Sequence, residues 1–315
     1  MTVLNQICAN EIDVAPGKLV YTQWLNERGG IEADLTVTRL TETSYLIVGG
    51  AETEVRDFDW LKRHIPPDAH CIATNVTSAM GVISVMGPKA RALLQSMTPD
   101  DLSNEGFAFG QSREIELGYA RVRASRITYV GELGWELYIP TEFVAHVYDA
   151  LIEAGQDFKL VHAGYHALNS LRIEKGYRHW GHDITDEDSP LQAGLGFAVK
   201  LKKPDGFIGR DALLQERAQG ISRKMVQFLL VDPEVMIYHN EPIWCDGTIV
   251  GHISSGAFAY TFGACIGLGY IPWDKTCSEE FTCNKQFEIE VAGVRIPAQV
   301  SLNPFYDAKS IQIRR

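Results

Sequence analysis

Asp34 is the first residue of the chain whose setting suggests chemistry. It begins a run of alternating apolar and β-branched residues, 34–39, shortly after Gly29-Gly30. This glycine pair can take positive φ at both central positions of a turn, so a tight hairpin turn is predicted there. A carboxylate in such a place is usually a turn cap, and spacing alone favours that role. A partly desolvated carboxylate can also accept a proton as a general base. Asp34 is therefore a candidate whose function depends on what the rest of the chain brings near it.

Two later stretches concentrate polar and aromatic residues. Residues 129–136 contain two glycines, two acids and two aromatics, and residues 169–183 place Arg172 and Glu174 beside tyrosine and tryptophan. A flat heteroaromatic ligand needs such parts, because its rings stack on aromatic faces and its N–H groups pair with a carboxylate. Together with Asp34, these stretches predict a binding cleft for a ligand of that kind.

Common signatures of nucleotide, metal and redox sites are absent from the sequence. No glycine-rich dinucleotide or phosphate loop follows a strand signal. His162 and His166 would supply only half of a metal site. Cys277 and Cys283, the closest pair among six cysteines, lack the two-residue spacing of zinc and redox motifs. We therefore expect no metal site and no FAD site within this chain.

The bulk properties of the chain exclude other classes. A length of 315 residues suggests about two domains. A net charge of −11 argues against nucleic acid or an anionic membrane as the main partner. No apolar run is long enough to span a bilayer, and the N-terminus lacks the pattern of a secretory signal. We expect a cytoplasmic protein or, in a eukaryote, one of the mitochondrial matrix.

Helix and strand signals recur in the first half of the chain. A helix near residue 8 and a second helix over 88–97 each lead through an acidic turn to a strand. We interpret this recurrence as a weak internal duplication of an α/β unit. A strand over 81–86 precedes the second copy and not the first, so we expect the N-terminal unit to be incomplete. Further strands are predicted over 112–123, 126–130 and 135–138, and helices over 142–154 and 164–176. The last helix is predicted to turn Ala167, Leu171 and Ile173 to the core and to place Arg172 and Lys175 elsewhere.

The last third of the chain is rich in short strand signals. Asp246-Gly247 and Ala292-Gly293 stand where hairpin turns are expected. Strands are predicted over 225–230, 242–244, 248–253, 266–271, 287–291 and 294–299. Such spacing is typical of a small β-barrel. The chain is thus predicted to be α+β, with an α/β body over 1–200 and a C-terminal β-barrel domain over 201–315.

Three ordered motifs resemble the folate-binding aminomethyltransferase family, the T-protein of the glycine cleavage system. They are Gly29-Gly30 followed by Asp34-Leu35, the Tyr-x-Gly-Glu-x-Gly-x-Glu pattern at 129–136, and Leu-Arg-Ile-Glu-Lys-Gly at 171–176. The phrases at 177–181 and 303–307 are closer to the folate-dependent C-terminal half of dimethylglycine and sarcosine dehydrogenases. The resemblance covers nearly the whole chain and implies a T-protein-like folate-binding fold.

The resemblance also implies a role for each matching residue. Asp34 would be the catalytic residue beside the N5/N10 edge of tetrahydrofolate, and Glu136 would hold the amino and ring N–H donors of the pterin. The remaining cofactor-binding residues would line the cleft: Tyr21, Val48, Tyr129, Arg172 and Trp180.

The implied function is tetrahydrofolate-dependent one-carbon transfer that forms 5,10-methylenetetrahydrofolate. The carbon would come from oxidation of an N-methyl glycine, dimethylglycine or sarcosine, by FAD on a partner or on a domain outside this chain. The family's domain normally begins several tens of residues further upstream, in agreement with the incomplete first unit.

Two other functions are consistent with the same residues. One is a non-catalytic folate-binding or regulatory subunit. The presence of both Asp34 and Glu136 argues against this alternative. The other is a folate-dependent demethylase that acts directly on a small methylated compound. Product formation without an added flavoprotein would distinguish the second from a dehydrogenase-type system.

Overall fold

The N-terminal residues form a small antiparallel sheet packed on helices. The computed structural model describes residues 1–274 and 284–315. The sheet has the order β1-β2-β3. Its elements are, in chain order, α1 (Thr2–Ile7), β1 (Leu19–Leu25), β2 (Ile31–Arg39), β3 (Tyr45–Val48) and α2 (Glu54–Arg63).

Alternation along β2 separates the two faces of this sheet. Ala33, Leu35 and Val37 are buried, and they pack with Trp24 and the apolar side of α1 in one core cluster. Because successive side chains of a strand point to opposite faces, Asp34 lies on the face turned away from this cluster. The hydrophobic pattern that builds the core thereby also directs Asp34 away from this cluster.

The turn between β1 and β2 is longer than the sequence predicts. It runs from Asn26 to Gly30, and only Gly29 has a positive φ, of 84°. The expectation that both glycines adopt left-handed conformations is wrong for Gly30. The Asn26 side-chain oxygen accepts hydrogen bonds from the backbone N–H groups of Arg28 and Gly30, and this bonding widens the turn.

Gly30 has a different role: it lets the backbone of the hairpin approach the backbone at Asp186 closely. A Cβ at this position would lie 1.8 Å from the carbonyl oxygen of Asp186. The backbone N–H of Ile31 also donates to the carbonyl of Asp188, at 3.0 Å. The acidic loop at 183–190 is therefore docked against the β1–β2 hairpin.

A second antiparallel sheet follows, in the order β4-β7-β6-β5. Phe107, Trp135 and Leu137 are buried in the core between this sheet and its helices. The elements are β4 (Met80–Met86), α3 (Ala90–Gln95), β5 (Ser112–Leu117), β6 (Ala120–Ser125), β7 (Gly134–Pro140) and α4 (Val144–Gly155).

Two strand predictions in this sheet are wrong. The predicted strand over 112–123 is a hairpin of two strands, because Gly118 takes a positive φ and reverses the chain. No strand forms over 126–130. The Arg126 side chain is buried there and donates to the carbonyl oxygen of Phe107 at 2.6 Å, and the chain leaves the sheet at this point.

Helix α5 (Tyr165–Glu174) joins the body to the barrel, and α6 (Arg210–Gln219) follows later. The helical pattern predicts that Arg172 and Lys175 point away from the core, yet they are only 2% and 3% exposed. Each is neutralised by a carboxylate that is distant in sequence, Asp183 for Arg172 and Asp307 for Lys175. The predicted orientation of these two cations is therefore wrong.

The C-terminal strands close into a barrel of order β10-β11-β8-β13-β12-β9, which confirms the predicted architecture. Asp246, Gly247, Ala292 and Gly293 all have positive φ, as the hairpin signals predict. The strands are β8 (Arg223–Leu230), β9 (Pro242–Cys245), β10 (Thr248–Ala259), β11 (Ala264–Pro272), β12 (Phe287–Val291) and β13 (Val294–Ser301).

Strand β10 extends six residues beyond its predicted end, with a register irregularity between Ile253 and Ser255. Cys277 and Cys283 lie outside the described residues. Within the ranges that are described, no helix is long and apolar enough to cross a membrane.

Candidate active site

Asp34 lies on the face of the β1–β2 hairpin opposite the core cluster of Leu35, directly across from Gln23. The side-chain amide Nε2 of Gln23 donates a hydrogen bond to Oδ1 of Asp34, at 2.9 Å. Tyr21 opposes Thr36, two residues along the same face from Asp34, and its hydroxyl also donates to the Asp34 carboxylate. Asp34 thus accepts two hydrogen bonds from neutral groups of the neighbouring strand.

The surroundings of Asp34 change its proton affinity. Burial raises the pKa of Asp34 to about 6, against the opposing effects of the hydrogen bonds from Tyr21 and Gln23 and the positive charge of Arg178. A carboxylate with a pKa near neutrality is ionised at physiological pH and is a much stronger base than an exposed aspartate. Burial and the Asp34 charge raise the pKa of Tyr21 well above its usual range, so its phenol remains a donor.

Tyr129 and Arg178 lie near Asp34 and form one wall of the candidate site. The Tyr129 hydroxyl donates to the backbone carbonyl of Arg178 at 2.8 Å, and its ring stacks on Tyr177 with centroids 6.0 Å apart. Burial raises the pKa of Tyr129, and the charges of Asp183 and Asp34 add to this effect. The structure therefore brings Tyr129 within electrostatic reach of Asp34.

Val48 and Trp180 both contact strand β2 of the hairpin. Val48 opposes Thr36 across β2 and β3, in the same cross-strand row as Tyr21. The Trp180 indole N–H donates to the carbonyl of Ile31 at 2.8 Å. The guanidinium of Arg56 stacks over the indole, 4.4 Å from the ring centroid. Both predicted residues are thus fixed against the strands that carry Asp34.

Arg172 lies in a buried hydrogen-bond network between α5 and the barrel. Its Nε donates to Asn169 at 2.8 Å, and its two terminal nitrogens donate to Asp183, to the carbonyl of Tyr177 and to Ser255 of β10. These bonds direct the guanidinium into the protein interior. The structure thereby gives Arg172 an evident packing role behind the wall that carries Tyr177.

Glu136 lies on β7 of the second sheet, between Ser84 and Ser125 in the strand register. The Tyr138 hydroxyl donates to its Oε2 at 2.5 Å. Burial raises the pKa of Glu136, and this hydrogen bond opposes the shift. The two predicted carboxylates therefore stand on different sheets, in different environments.

Gln23 and Arg178 are the site residues that sequence reasoning missed. A two-residue turn at Gly29-Gly30 would have paired Leu25 with Asp34. The wider turn shifts the register and places Gln23 there instead. Asn26, whose side chain caps the turn, is the signal that could have corrected the register.

No metal centre accompanies these residues. Across the part of the chain that the structure describes, no three His, Cys, Asp or Glu side chains come together as metal ligands. The donors near Asp34 are a phenol, an amide and a guanidinium, which suit hydrogen bonding to an organic ligand rather than coordination of a cation.

Comparison with known families places the chain in a class. Residues 1–203 match the GCVT N-terminal domain, and residues 223–307 match the glycine cleavage T-protein C-terminal barrel domain. The chain therefore belongs to the glycine cleavage T-protein, or aminomethyltransferase, family, which binds tetrahydrofolate.

Individual relatives refine this placement. A formaldehyde-forming 4-methylaminobutanoate oxidase of Paenarthrobacter nicotinovorans is 40% identical over 314 residues, covering 100% of this chain and 37% of that protein. Mitochondrial sarcosine dehydrogenase of Homo sapiens is 39% identical over 325 residues, covering 96% of this chain and 35% of that protein. The chain thus spans about a third of the length of these two relatives.

A solved structure shows the same fold. The aminomethyltransferase T of the Bartonella henselae glycine cleavage system matches with a TM-score of 0.83 and 26% identity, covering 98% of this chain and 81% of that chain. The sequence-based resemblance to this family and the predicted T-protein-like fold are both confirmed.

Proposed function

We propose that this chain catalyses tetrahydrofolate-dependent one-carbon transfer and forms 5,10-methylenetetrahydrofolate. The carbon is the formaldehyde or iminium unit released when an N-methyl glycine, dimethylglycine or sarcosine, is oxidised. The observation that carries the proposal is the setting of Asp34, a carboxylate whose pKa burial raises to about 6 in a member of a folate-binding family.

Asp34 is the base in this proposal. Tetrahydrofolate supplies the two nitrogen nucleophiles that take up the carbon. Asp34 accepts the proton that a folate nitrogen releases as that nitrogen bonds to the carbon, and the electron pair of the broken N–H bond stays on the nitrogen. The oxygen of formaldehyde leaves as water, or the glycine amine leaves when the carbon arrives as an iminium. The same carboxylate, held in a partly desolvated site, stabilises positive charge on the reacting unit. Tyr21 and Gln23 keep the carboxylate aimed at the cleft.

Glu136 positions the ligand rather than reacting with it. Its Oε2 accepts the hydrogen bond from Tyr138, and the remaining acceptor positions of the carboxylate suit the paired N–H donors of a pterin. Tyr21, Val48, Tyr129 and Trp180 provide aromatic and apolar surface along the cleft.

We assign Arg172 to the same site through the carbonyl of Tyr177, which it holds in place. This assignment makes it a positioning residue.

The oxidation belongs to another protein or domain in this proposal. The two sequence relatives are named as an oxidase and a dehydrogenase, and each is about three times as long as the match. An FAD-dependent oxidoreductase is therefore the partner we propose as the source of the carbon. The cytoplasm or the mitochondrial matrix is the proposed location.

A coupled assay tests the function. The chain is mixed with tetrahydrofolate and a dimethylglycine-oxidising flavoprotein, and 5,10-methylenetetrahydrofolate is measured above the spontaneous condensation of formaldehyde. We expect faster product formation and less free formaldehyde when the chain is present. Folate binding without any gain in rate would instead identify a non-catalytic subunit. Product from a methylated compound without the flavoprotein would identify a demethylase.

A further inference from the structure

We propose that Gln23 is a positioning residue that serves both protonation states of Asp34, by turning its side-chain amide when Asp34 accepts a proton. This inference rests on the proposed function, in which Asp34 is the base. Gln23 donates through Nε2 to the ionised carboxylate and accepts through Oε1 from the protonated one.

The starting observation is an unpaired buried acceptor. Gln23 is 0% exposed, and its Nε2 bonds Asp34, whereas its Oε1 has no hydrogen-bond partner within residues 1–274 and 284–315. A buried polar atom without a partner is costly, and an apolar side chain of similar length would fill the space without that cost. The amide is therefore held with its donor toward Asp34 at the expense of its oxygen.

Rotation of the amide exchanges these two ends. A half-turn about the last side-chain bond places Oε1 where Nε2 now stands, with little change in shape. An ionised carboxylate needs donors, whereas a protonated one carries an O–H and needs an acceptor. Once Asp34 takes a proton from the ligand, the unpaired oxygen is the group that completes the new hydrogen bond.

The other charged and titratable groups that face Asp34 are Tyr21 from β1, Tyr129 from the segment before β7, and Arg178 from the segment after α5. Arg178 has donors only. Tyr129 directs its O–H to the backbone. Tyr21 can also exchange donor and acceptor roles by rotating its O–H, so it is the natural comparison for Gln23.

Nuclear magnetic resonance on the wild-type chain tests the inference without folate. Glutamine labelled with 15N in the side chain is titrated between pH 4 and 8, alongside 13C-labelled aspartate carboxyls. Loss of a signal in Gln23→Met assigns the Gln23 amide, and loss in Asp34→Asn assigns the Asp34 carboxyl. We expect the Gln23 amide resonance to titrate with the same midpoint as Asp34, and to lose this titration in Asp34→Asn. The scalar coupling that the Nε2–H bond transmits between the Gln23 side-chain 15N and the Asp34 13C carboxyl should be present above that midpoint and absent below it.

A coupling that persists below the Asp34 midpoint would overturn the inference, since the amide would then donate to both protonation states of Asp34 without turning. A second readout uses Gln23→Met, which removes the stronger, charge-assisted bond and should raise the midpoint of Asp34 by about one pH unit. Tyr21→Phe should leave the titration of the Gln23 amide in place. These spectra do not depend on folate binding, so their outcome is independent of whether the proposed function holds.

Discussion

The carboxylates of Asp34, which is half-buried, and Asp183, which is buried, are surrounded by opposite kinds of hydrogen-bond donor. Asp183 accepts hydrogen bonds from the Arg172 guanidinium, from Ser254, and from the backbone N–H of His179 at 2.9 Å. Among the described residues, the side chains that donate to Asp34 are the neutral groups of Gln23 and Tyr21, and burial raises the pKa of Asp34 to about 6. The Asp183 carboxylate receives its hydrogen bonds from donors within the protein, and this cluster holds α5 against the barrel. The Asp34 cluster leaves Oε1 of Gln23 without a partner among the described residues, and its carboxylate has a raised pKa, which suits a group that must exchange a proton.

The largest expected effect is a loss of catalysis when Asp34, the reactive one of the two carboxylates, is replaced. Asp34→Asn removes the proton acceptor but keeps the size of the side chain, so product formation in the coupled assay should fall by about 10²–10⁴-fold. The dissociation constant of tetrahydrofolate should change only a few-fold. Asp59→Asn, an exposed carboxylate on α2 paired with Arg63, is the matched control and should leave the rate unchanged. A rate in Asp34→Asn equal to wild type would remove Asp34 from the mechanism.

A second substitution removes the buried ion pair between Arg172 and Asp183. Arg172→Met leaves the buried Asp183 charge without its partner, and loss of one member of a buried ion pair costs about 3–5 kcal/mol. We expect a drop of that size in the free energy of unfolding, measured by urea denaturation.

Arg28→Met provides the control for this loss. It removes an exposed pair with Asp186 at 3.9 Å and should cost less than about 1 kcal/mol. Equal losses in the two variants would show that the Arg172 network does not stabilise the fold.

A smaller effect distinguishes the two carboxylates by pH. Since the pKa of Asp34 is higher in the folded chain than its usual value of 3.8, folding favours the protonated form. That stabilisation is present below pH 4 and is lost as the pH rises through about 6. Asp34→Asn should therefore be more stable than wild type at pH 7.5, by about 1–3 kcal/mol given partial solvent screening.

The stability difference between Asp34→Asn and wild type should shrink toward zero at pH 4. Denaturation curves of both proteins at pH 4, 6 and 7.5 measure it. A difference that is the same at all three values would contradict the raised pKa.

Short-range signals predicted much of the fold. The barrel hairpins at Asp246-Gly247 and Ala292-Gly293 follow from residues that tolerate positive φ next to alternating strands. Helix α5 and strand β4 follow from local periodicity in the same way. These elements depend on neighbours within a few residues, so the sequence pattern contains the relevant information.

The errors arise where distant residues decide the outcome. Lys175 is polar and was predicted to face away from the core, yet Asp307, far along the chain, neutralises it in a buried pair at 2.9 Å. The register that sets Gln23 against Asp34 depends on the Asn26 cap and on the loop carrying Asp186, which docks on the hairpin. Periodicity cannot report such contacts. The motifs identified Asp34 as a candidate, and the structure supplied the neighbours that determine its proton affinity.

The most direct test of the central claim is calorimetric titration of this chain with tetrahydrofolate, run in parallel on Asp34→Asn. We expect micromolar binding to both proteins, because Asp34 acts on the proton and the cleft around it holds the ligand. Absence of binding to the wild-type chain, folded and at the same concentration, would contradict a folate site in these residues.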